Sequence, residues 1–492
     1  MKLKQNFFAG LANSVWTALI GFAVVPLYLK YLGIESYGLI GFFATLQAVL
    51  SLLDLGLAST INREVARCSA SGNLKEAEKL LHTLAVVYWS MAGAIALLII
   101  TLAPLIAEYW LKSKQLSPQT ISHAVMLMGL VVACRWPVGL YMGALMGRQR
   151  IVLSSTIGSV AGTLSSLGAV VVLAFVSPTI EAFFIWQACA AVAYAITVRR
   201  IAWQIIGSNN GSRRFALEDL KRIWRFSAGM SGVAVTGVIL MQLDKVLLSK
   251  LLSLEEFGHY VLAGVVANSL YVFLTPLFNA IYPRMTALVA LGETEKLINV
   301  YKLGTHVFLA FFFPIAIMAS VYSEDVLFLW TGDQHLATST ALVASLLILG
   351  TALNGVMHFP YALQLAYGST RLPLTITVVL ILTLAPMIII FTLSYGAIGG
   401  ALAWFCLNIT YLFFGTWLTH KKILRGQALR WLLYSVGRPL VISMIVILIG
   451  WKFLYVEGSY HSNILWGGGL LLLAWLANLA LLTKYISVKD MQ

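Results

Sequence analysis

The chain is 492 residues long, 60% hydrophobic and only 11% charged, with a mean hydropathy of +0.87. A soluble protein of this length carries about 25% charged residues, so soluble enzymes and soluble binding modules are excluded. The formal charge of +14 invites a nucleic-acid reading, but the basic residues follow membrane topology instead.

Apolar windows of about 20 residues recur along nearly the whole length, and each is able to cross a bilayer as a helix. The start, MKLKQNFFAGLANSVW, places basic residues before an apolar run but lacks a small-x-small cleavage site. It reads as the first retained helix, not a signal peptide. The spacing predicts an all-α integral membrane protein of about fourteen helices. They fall near residues 8–30, 38–60, 83–106, 121–146, 151–176, 181–198, 227–249, 258–280, 304–323, 338–362, 373–394, 397–418, 432–455 and 464–483. With Met1 cytoplasmic, about 25 of the 33 Lys and Arg fall in cytoplasmic segments and about four outside. Both termini are therefore expected on the cytoplasmic side. Basic clusters such as Arg199/Arg200, Arg213/Arg214, Lys221/Arg222/Arg225 and Lys421/Lys422/Arg425 read as orientation signals that face anionic lipid. Cys134, Cys189 and Cys406 lie in apolar spans and Cys68 in a basic loop, so no disulfide framework or metal site is expected.

One segment repeats. YLKYLGIESYG (Tyr28 to Gly38) aligns without a gap on LSKLLSLEEFG (Leu248 to Gly258), which pairs Lys30 with Lys250, Glu35 with Glu255 and Gly38 with Gly258. These charges lie in external turns and so need no burial. A looser match relates INREVARCSASGNLKEAEKL to IYPRMTALVALGETEKL. Blocks of six helices enter the membrane in the same direction, so the repeats are parallel. The expected organisation is an N-lobe over 1–198 (helices 1–6), a cytoplasmic linker over 199–226 containing GSNNGSRR, a C-lobe over 227–420 (helices 7–12), and two extra helices over 421–492.

LKYLGIESYGLIGF, LDKVLLSKLLSLEEFGHYVLAG and LLDLGLASTINREVAR together resemble the pattern of polysaccharide exporters in the multidrug/oligosaccharidyl-lipid/polysaccharide (MOP) flippase superfamily. Fourteen helices and short loops look most like the O-antigen flippases (Wzx type). The resemblance covers the whole chain in hydropathy, with specific motifs only at the start of each lobe. It implies two six-helix lobes around a central cavity that opens alternately to the two faces. The implied cargo is an oligosaccharide linked through diphosphate to undecaprenol, moved from the cytoplasmic to the periplasmic leaflet. A polysaccharide polymerase and a chain-length regulator are the implied protein partners.

Arg135, in VVACRWPVGLYMG, lies near the middle of helix 4, too deep for its side chain to snorkel to water. Its planar fork suits a diphosphate; the other reading is an ion pair inside the N-lobe. Pro137 can kink the helix and free a carbonyl nearby. Asp54 and Asp244 are acids within apolar spans and are candidates for coupling to H⁺ or Na⁺ in an antiporter. Asp54 is placed about two turns from the end of helix 2, where it can equally pair with Arg63. Lys245 follows Asp244 at 100° round the helix, so the two are not expected to neutralise each other, and either can face the cavity. Arg438 is a candidate phosphate ligand or a snorkelling anchor. His358, Asn279 and Asn354 are candidates for a sugar path, alongside Asn13, Gln47, Gln242 and Gln364, although amides also join membrane helices.

No GxxxxGK[ST] phosphate loop is present, so transport is expected to run on an ion gradient or the membrane potential without a cofactor. The competing readings are a multidrug or lipid-precursor exporter of the same fold and a membrane polymerase or acyltransferase. For the enzyme, the external cluster Glu324, Asp325, Asp333 and His335 is the group to inspect. The leading expectation is a flippase, not an enzyme.

Overall fold

The computed structural model describes the backbone of residues 2–206 and 217–489 and the side chains of 13–206, 232 and 235–480. GSNNGSRR, with Arg213 and Arg214, and the side chains of Lys221, Arg222 and Arg225 lie outside the described residues. Among the described residues the chain is helical, and the only β-type pairing is an isolated bridge between Lys112 and Ser253. Eleven segments among the described residues are long and apolar enough to cross a membrane. Two of these are too long for one passage. A straight helix of 52 residues, the length of Arg371–Lys422, measures about 78 Å against roughly 30 Å of hydrocarbon. That segment turns at Gly396 (φ 56°), and Asn13–Asp54 turns at Gly33 (φ 76°). A β-carbon would resist both conformations. Counted as two crossings each, they raise eleven to thirteen, and α7 below is the fourteenth helix of crossing length.

In chain order the helices are α1 (Lys2–Ser51), α2 (Leu57–Ala70), α3 (Leu74–Leu105), α4 (Pro118–Gly147), α5 (Ile151–Phe175), α6 (Ile180–Ile206) and α7 (Leu217–Leu251). They continue with α8 (Leu254–Asn268), α9 (Tyr271–Ala290), α10 (Thr294–Val321), α11 (Ser323–Thr331), α12 (Gln334–Val356) and α13 (His358–Ala366). The last are α14 (Arg371–Lys422), α15 (Ala428–Arg430), α16 (Arg438–Leu454) and α17 (Tyr460–Lys489). Two compact units emerge: Met1–Gln242 with Ser253–Gly258, and Leu243–Leu252 with His259–Gln492.

Within the first unit the expected second helix ends earlier than its hydropathy suggests. Leu52–Asp54 forms a 3₁₀ turn, and Leu55 (φ 46°) and Gly56 (φ 77°) are both left-handed. This break separates α2, which is amphipathic and buries Ile61, Val65 and Cys68. Cys68 is thus a core residue and not a loop one. The two ends of the looser sequence match make the same turn: Gly72 (φ 73°) and Gly292 (φ 70°). There Asn73 N donates to Cys68 O at 2.9 Å and Glu293 N to Leu288 O at 3.0 Å, the bond that closes a glycine helix cap.

The tighter match has a packing meaning. A β-carbon on Gly38 would strike Leu254 O, and one on Gly258 would strike Ile34 O. Each glycine meets the carbonyl four residues before the other, a reciprocal close crossing of the kind small residues permit. Glu35 overturns the expectation that these charges need no burial. It is 2% exposed and accepts from Ser113 Oγ at 2.5 Å and from the amides of Lys114 and Gln115, both at 3.0 Å. The carboxylate supplies acceptors to a loop whose backbone has no helix to satisfy it. Its partner in the repeat, Glu255, meets Lys114 Nζ at 3.5 Å.

In the second unit the final helices are pinned by Asn463. Its amide bonds Val456 at both N (3.0 Å) and O (2.9 Å) and donates to Asp325 Oδ1 at 2.8 Å. The other two acids of the external acidic cluster are also engaged. Asp333 caps α12 through Leu336 N at 3.0 Å, and Glu324 accepts from Thr338 Oγ1 at 3.0 Å.

Two expected outcomes follow from this packing. Gly38→Ala in detergent should lower thermal stability by about 1–3 kcal/mol, the usual cost of overpacking, whereas Gly21→Ala, with open space around it, should be silent; equal melting of the two would refute the close crossing. Burial, opposed by the Asn463 bond and aided by Glu324, holds the Asp325 carboxyl above its ordinary range. The native state then keeps a proton that the unfolded chain releases. Stability should fall as pH rises from about 4 through the raised value, and Asp325→Asn should flatten that slope in a melting series.

Candidate functional site

Arg135 lies about 18 Å from the nearer end of α4, which runs unbroken through Pro137. Its Nη2 donates to Gln187 Oε1 at 2.8 Å and Ser165 Oγ at 3.1 Å. Ser165 Oγ also donates to Gln187 Oε1 at 2.5 Å, and Gln187 Nε2 to Ser165 O at 3.3 Å. The guanidinium carbon lies 5.9 Å from the centre of the Phe43 ring. This cluster joins α4, α5 and α6 through neutral groups. Among the described residues Arg135 meets no carboxylate, so the intralobe ion pair that was one of its two readings is not formed. A guanidinium has five N–H donors, and Ser165 and Gln187 engage one nitrogen. Chemically the arrangement holds a fixed positive charge at membrane depth with donors to spare.

Both intramembrane acids are met by phenols. Asp54 sits where its helix ends, not two turns inside it. Tyr88 Oη donates to Asp54 Oδ1, and Ala58 N, in the first turn of α2, to Oδ2 at 3.3 Å. The carboxylate thereby faces a helix N-terminus, where the dipole favours negative charge. Arg63, the expected partner, pairs with Glu64 at 3.6 Å instead. In the other unit, Asp244 is 5% exposed and accepts from Tyr260 Oη at 2.6 Å. Lys245 Nζ lies 3.2 Å from both of its oxygens. The expectation that these neighbours do not neutralise each other fails, because the flexible four-carbon stem of lysine bridges the 100° between their positions.

His358 sits beside Tyr271 and Phe278, with ring centres 6.2 and 6.3 Å away. Phe278 stacks on Tyr282 and Tyr361 at 5.6 and 5.7 Å, which makes an aromatic cluster beside His358. Asn279, nearby on α9, is exposed. Asn354 is a helix-joining amide: it accepts from Tyr271 Oη at 3.1 Å and donates to Asn408 Oδ1 at 2.9 Å, linking α12 to α14. Gln364 does the same with Thr419 at 2.7 Å, and Asn13 accepts from Ser159 Oγ at 2.5 Å. Arg438 begins α16, is exposed, and lies over the Tyr434 ring at 4.3 Å. That geometry fits an interfacial anchor. No group of three or more His, Cys, Asp or Glu is arranged for a metal among the described residues.

The sequence did not point to Ser165, Gln187, Tyr88 or Tyr260, which position the charged groups. A polar residue buried in an apolar helix was the available signal for Gln187. Gln187→Leu removes the acceptor shared by Arg135 and Ser165 and should cost about 1–3 kcal/mol in a detergent melting assay. Ser165→Ala should cost less, because Arg135 keeps Gln187; the reverse order would mean that the cluster is not wired this way.

Comparison with known proteins identifies the fold and the family. The chain matches the family model described as "Polysaccharide biosynthesis protein" over residues 3–289. A Shigella flexneri protein provisionally named as an O-antigen transporter is 22% identical over 405 residues, covering 80% of this chain and 93% of that one. Among solved structures, the lipid II flippase MurJ in an inward closed conformation superposes with a TM-score of 0.69 at 15% identity, covering 98% of this chain and 99% of that chain. An inward-facing multidrug resistance MATE family transporter of the MOP superfamily superposes with a TM-score of 0.65 at 14% identity, covering 82% and 95%. The fold is therefore that of the MOP flippases and transporters, the relatives are transporters and not enzymes, and by a family match spanning more than half its length the chain belongs to the polysaccharide biosynthesis protein family.

Proposed function

We propose that this multi-pass membrane protein flips undecaprenyl-diphosphate-linked oligosaccharide, such as an O-antigen repeat unit, from the cytoplasmic to the periplasmic leaflet of a bacterial inner membrane by alternating access. The observation that carries this reading is Arg135. It is a half-buried cation near the middle of α4, held among the described residues by the neutral groups of Ser165 and Gln187 and not by a carboxylate. A diphosphate is the ligand such a fork fits, through paired charge-assisted bonds. The aromatic surface of Phe278, Tyr282 and Tyr361 beside His358 and Asn279 suits sugar rings, and the family membership agrees with a polysaccharide cargo. Termini in the cytoplasm follow from the distribution of Lys and Arg.

Energy comes, in this reading, from H⁺ or Na⁺ moving against the cargo. Asp54 is the better coupling group, since among the described residues it meets a phenol and a helix N-terminus but no cation, and so can exchange a proton or sodium ion without breaking an ion pair. Asp244 is already compensated by Lys245. The N-lobe, linker, C-lobe and final helix pair over 1–198, 199–226, 227–420 and 421–492 remain the proposed organisation.

The test is complementation of a strain lacking this gene, with surface polysaccharide measured beside protein level in the membrane. Arg135→Gln should cut export about tenfold or more, the worth of lost bonds to a charged group, with Arg135→Lys intermediate. Gln187→Glu gives Arg135 the carboxylate it lacks, and should leave a folded protein that exports poorly. Normal export by Arg135→Gln would overturn the diphosphate role, and unchanged polysaccharide after gene deletion would overturn the function.

A further inference from the structure

A cavity of about 480 Å³ lies in the first unit, away from the Arg135 cluster, between α3 and α6 and floored by α4. Its polar lining consists of His82 and Ser90 from α3 and Arg199 from α6. None of the three makes a hydrogen bond or ion pair among the described residues. Trp89 and Trp203 supply the aromatic wall. Trp203 packs edge-on to His82 at 6.3 Å, and Trp89 Nε1 donates to the fully buried Tyr141 Oη at 3.1 Å. The two tryptophans are thus oriented by protein contacts, while the cationic and hydroxyl groups are left to a ligand.

Depth and direction identify the ligand. Arg199 stands about 10 Å from the end of α6 and His82 about 12 Å from the start of α3, so both lie within reach of the headgroup layer. Along the same helix faces, Leu97 on α3 and Ile196 on α6 are 65% and 45% exposed. These are the stripes that meet acyl chains in a bilayer. The site therefore has a cation and donors at headgroup level, tryptophans at the interface, and an apolar track leading away from them.

We propose that this cavity binds one anionic phospholipid, with its phosphate on Arg199, His82 and Ser90 and its acyl chains along the α3 and α6 stripes. Free phosphate offers the same charge without the chains, and the track beside the cations favours the lipid. The proposal needs only residence in a membrane and does not depend on the cargo.

The test uses the purified full-length protein in detergent, with phosphatidylglycerol, phosphatidylethanolamine or inorganic phosphate added, and retained lipid read by native mass spectrometry. Wild type should keep phosphatidylglycerol in preference to phosphatidylethanolamine, and inorganic phosphate should not displace it. Arg199→Gln should weaken retention about fivefold, the usual worth of one headgroup-facing cation. Arg200→Gln, the same charge change one position round the helix, should behave as wild type. Brominated phosphatidylglycerol should quench tryptophan fluorescence less in Arg199→Gln than in Arg200→Gln. Equal losses in the two variants, no loss in Arg199→Gln, equal retention of both lipids, or displacement by inorganic phosphate would each overturn the assignment.

Discussion

Inside hydrocarbon a peptide group left without a hydrogen-bond partner costs several kcal/mol, and water is not there to supply one. That constraint shapes the whole chain. It explains why the described residues are helical and why departures from the helix are few and each answered. Gly33 and Gly396 reverse direction at positive φ. The break at Leu55–Gly56 holds a leucine in a conformation that costs about 1–2 kcal/mol, and Asp54 supplies an acceptor to the helix that restarts beyond it. Glu35 serves the loop after α3 in the same way, through the amides of Lys114 and Gln115.

Charged side chains obey a related rule. A charge taken from water is tolerated when paired or richly hydrogen-bonded. Asp244 has Tyr260 and Lys245, and Glu35 has three donors. Among the described residues Arg135 is answered by neutral acceptors alone, which ties three helices together and leaves its charge uncompensated. The same logic separates the acids from each other, since a carboxylate already locked to an ammonium is a poor place to load and unload a proton. The acids Asp325, Asp333 and Glu324 likewise each commit an oxygen to structure, on Asn463, a helix cap and Thr338.

Composition and hydropathy made the membrane class and the number of helices of crossing length legible, because each span must be apolar over its own length, while the family showed only through the resemblance of motifs such as LKYLGIESYGLIGF and LLDLGLASTINREVAR. The repeat of Tyr28–Gly38 in Leu248–Gly258 was legible too, yet its purpose was not. A glycine in a sequence does not say which carbonyl lies against it, and the Gly38–Leu254 and Gly258–Ile34 approaches join segments more than 200 residues apart. Asp54 was misplaced for a different reason: hydropathy averages over a window and cannot see two consecutive left-handed residues at Leu55 and Gly56.

The sequence by itself determined that this is a polytopic helical membrane protein with an arginine too deep in the bilayer to reach water, because burial cost and span length are local properties of the chain. Only the tertiary structure decided that Arg135 leans on Ser165 and Gln187, that Lys245 folds back onto Asp244, that Glu35 is buried, and that His82, Ser90 and Arg199 converge on one cavity. Those outcomes depend on which helices pack together and on how side chains turn between them. Partners such as Gln187 and Arg135 come from different helices 52 residues apart, so no local pattern records their meeting.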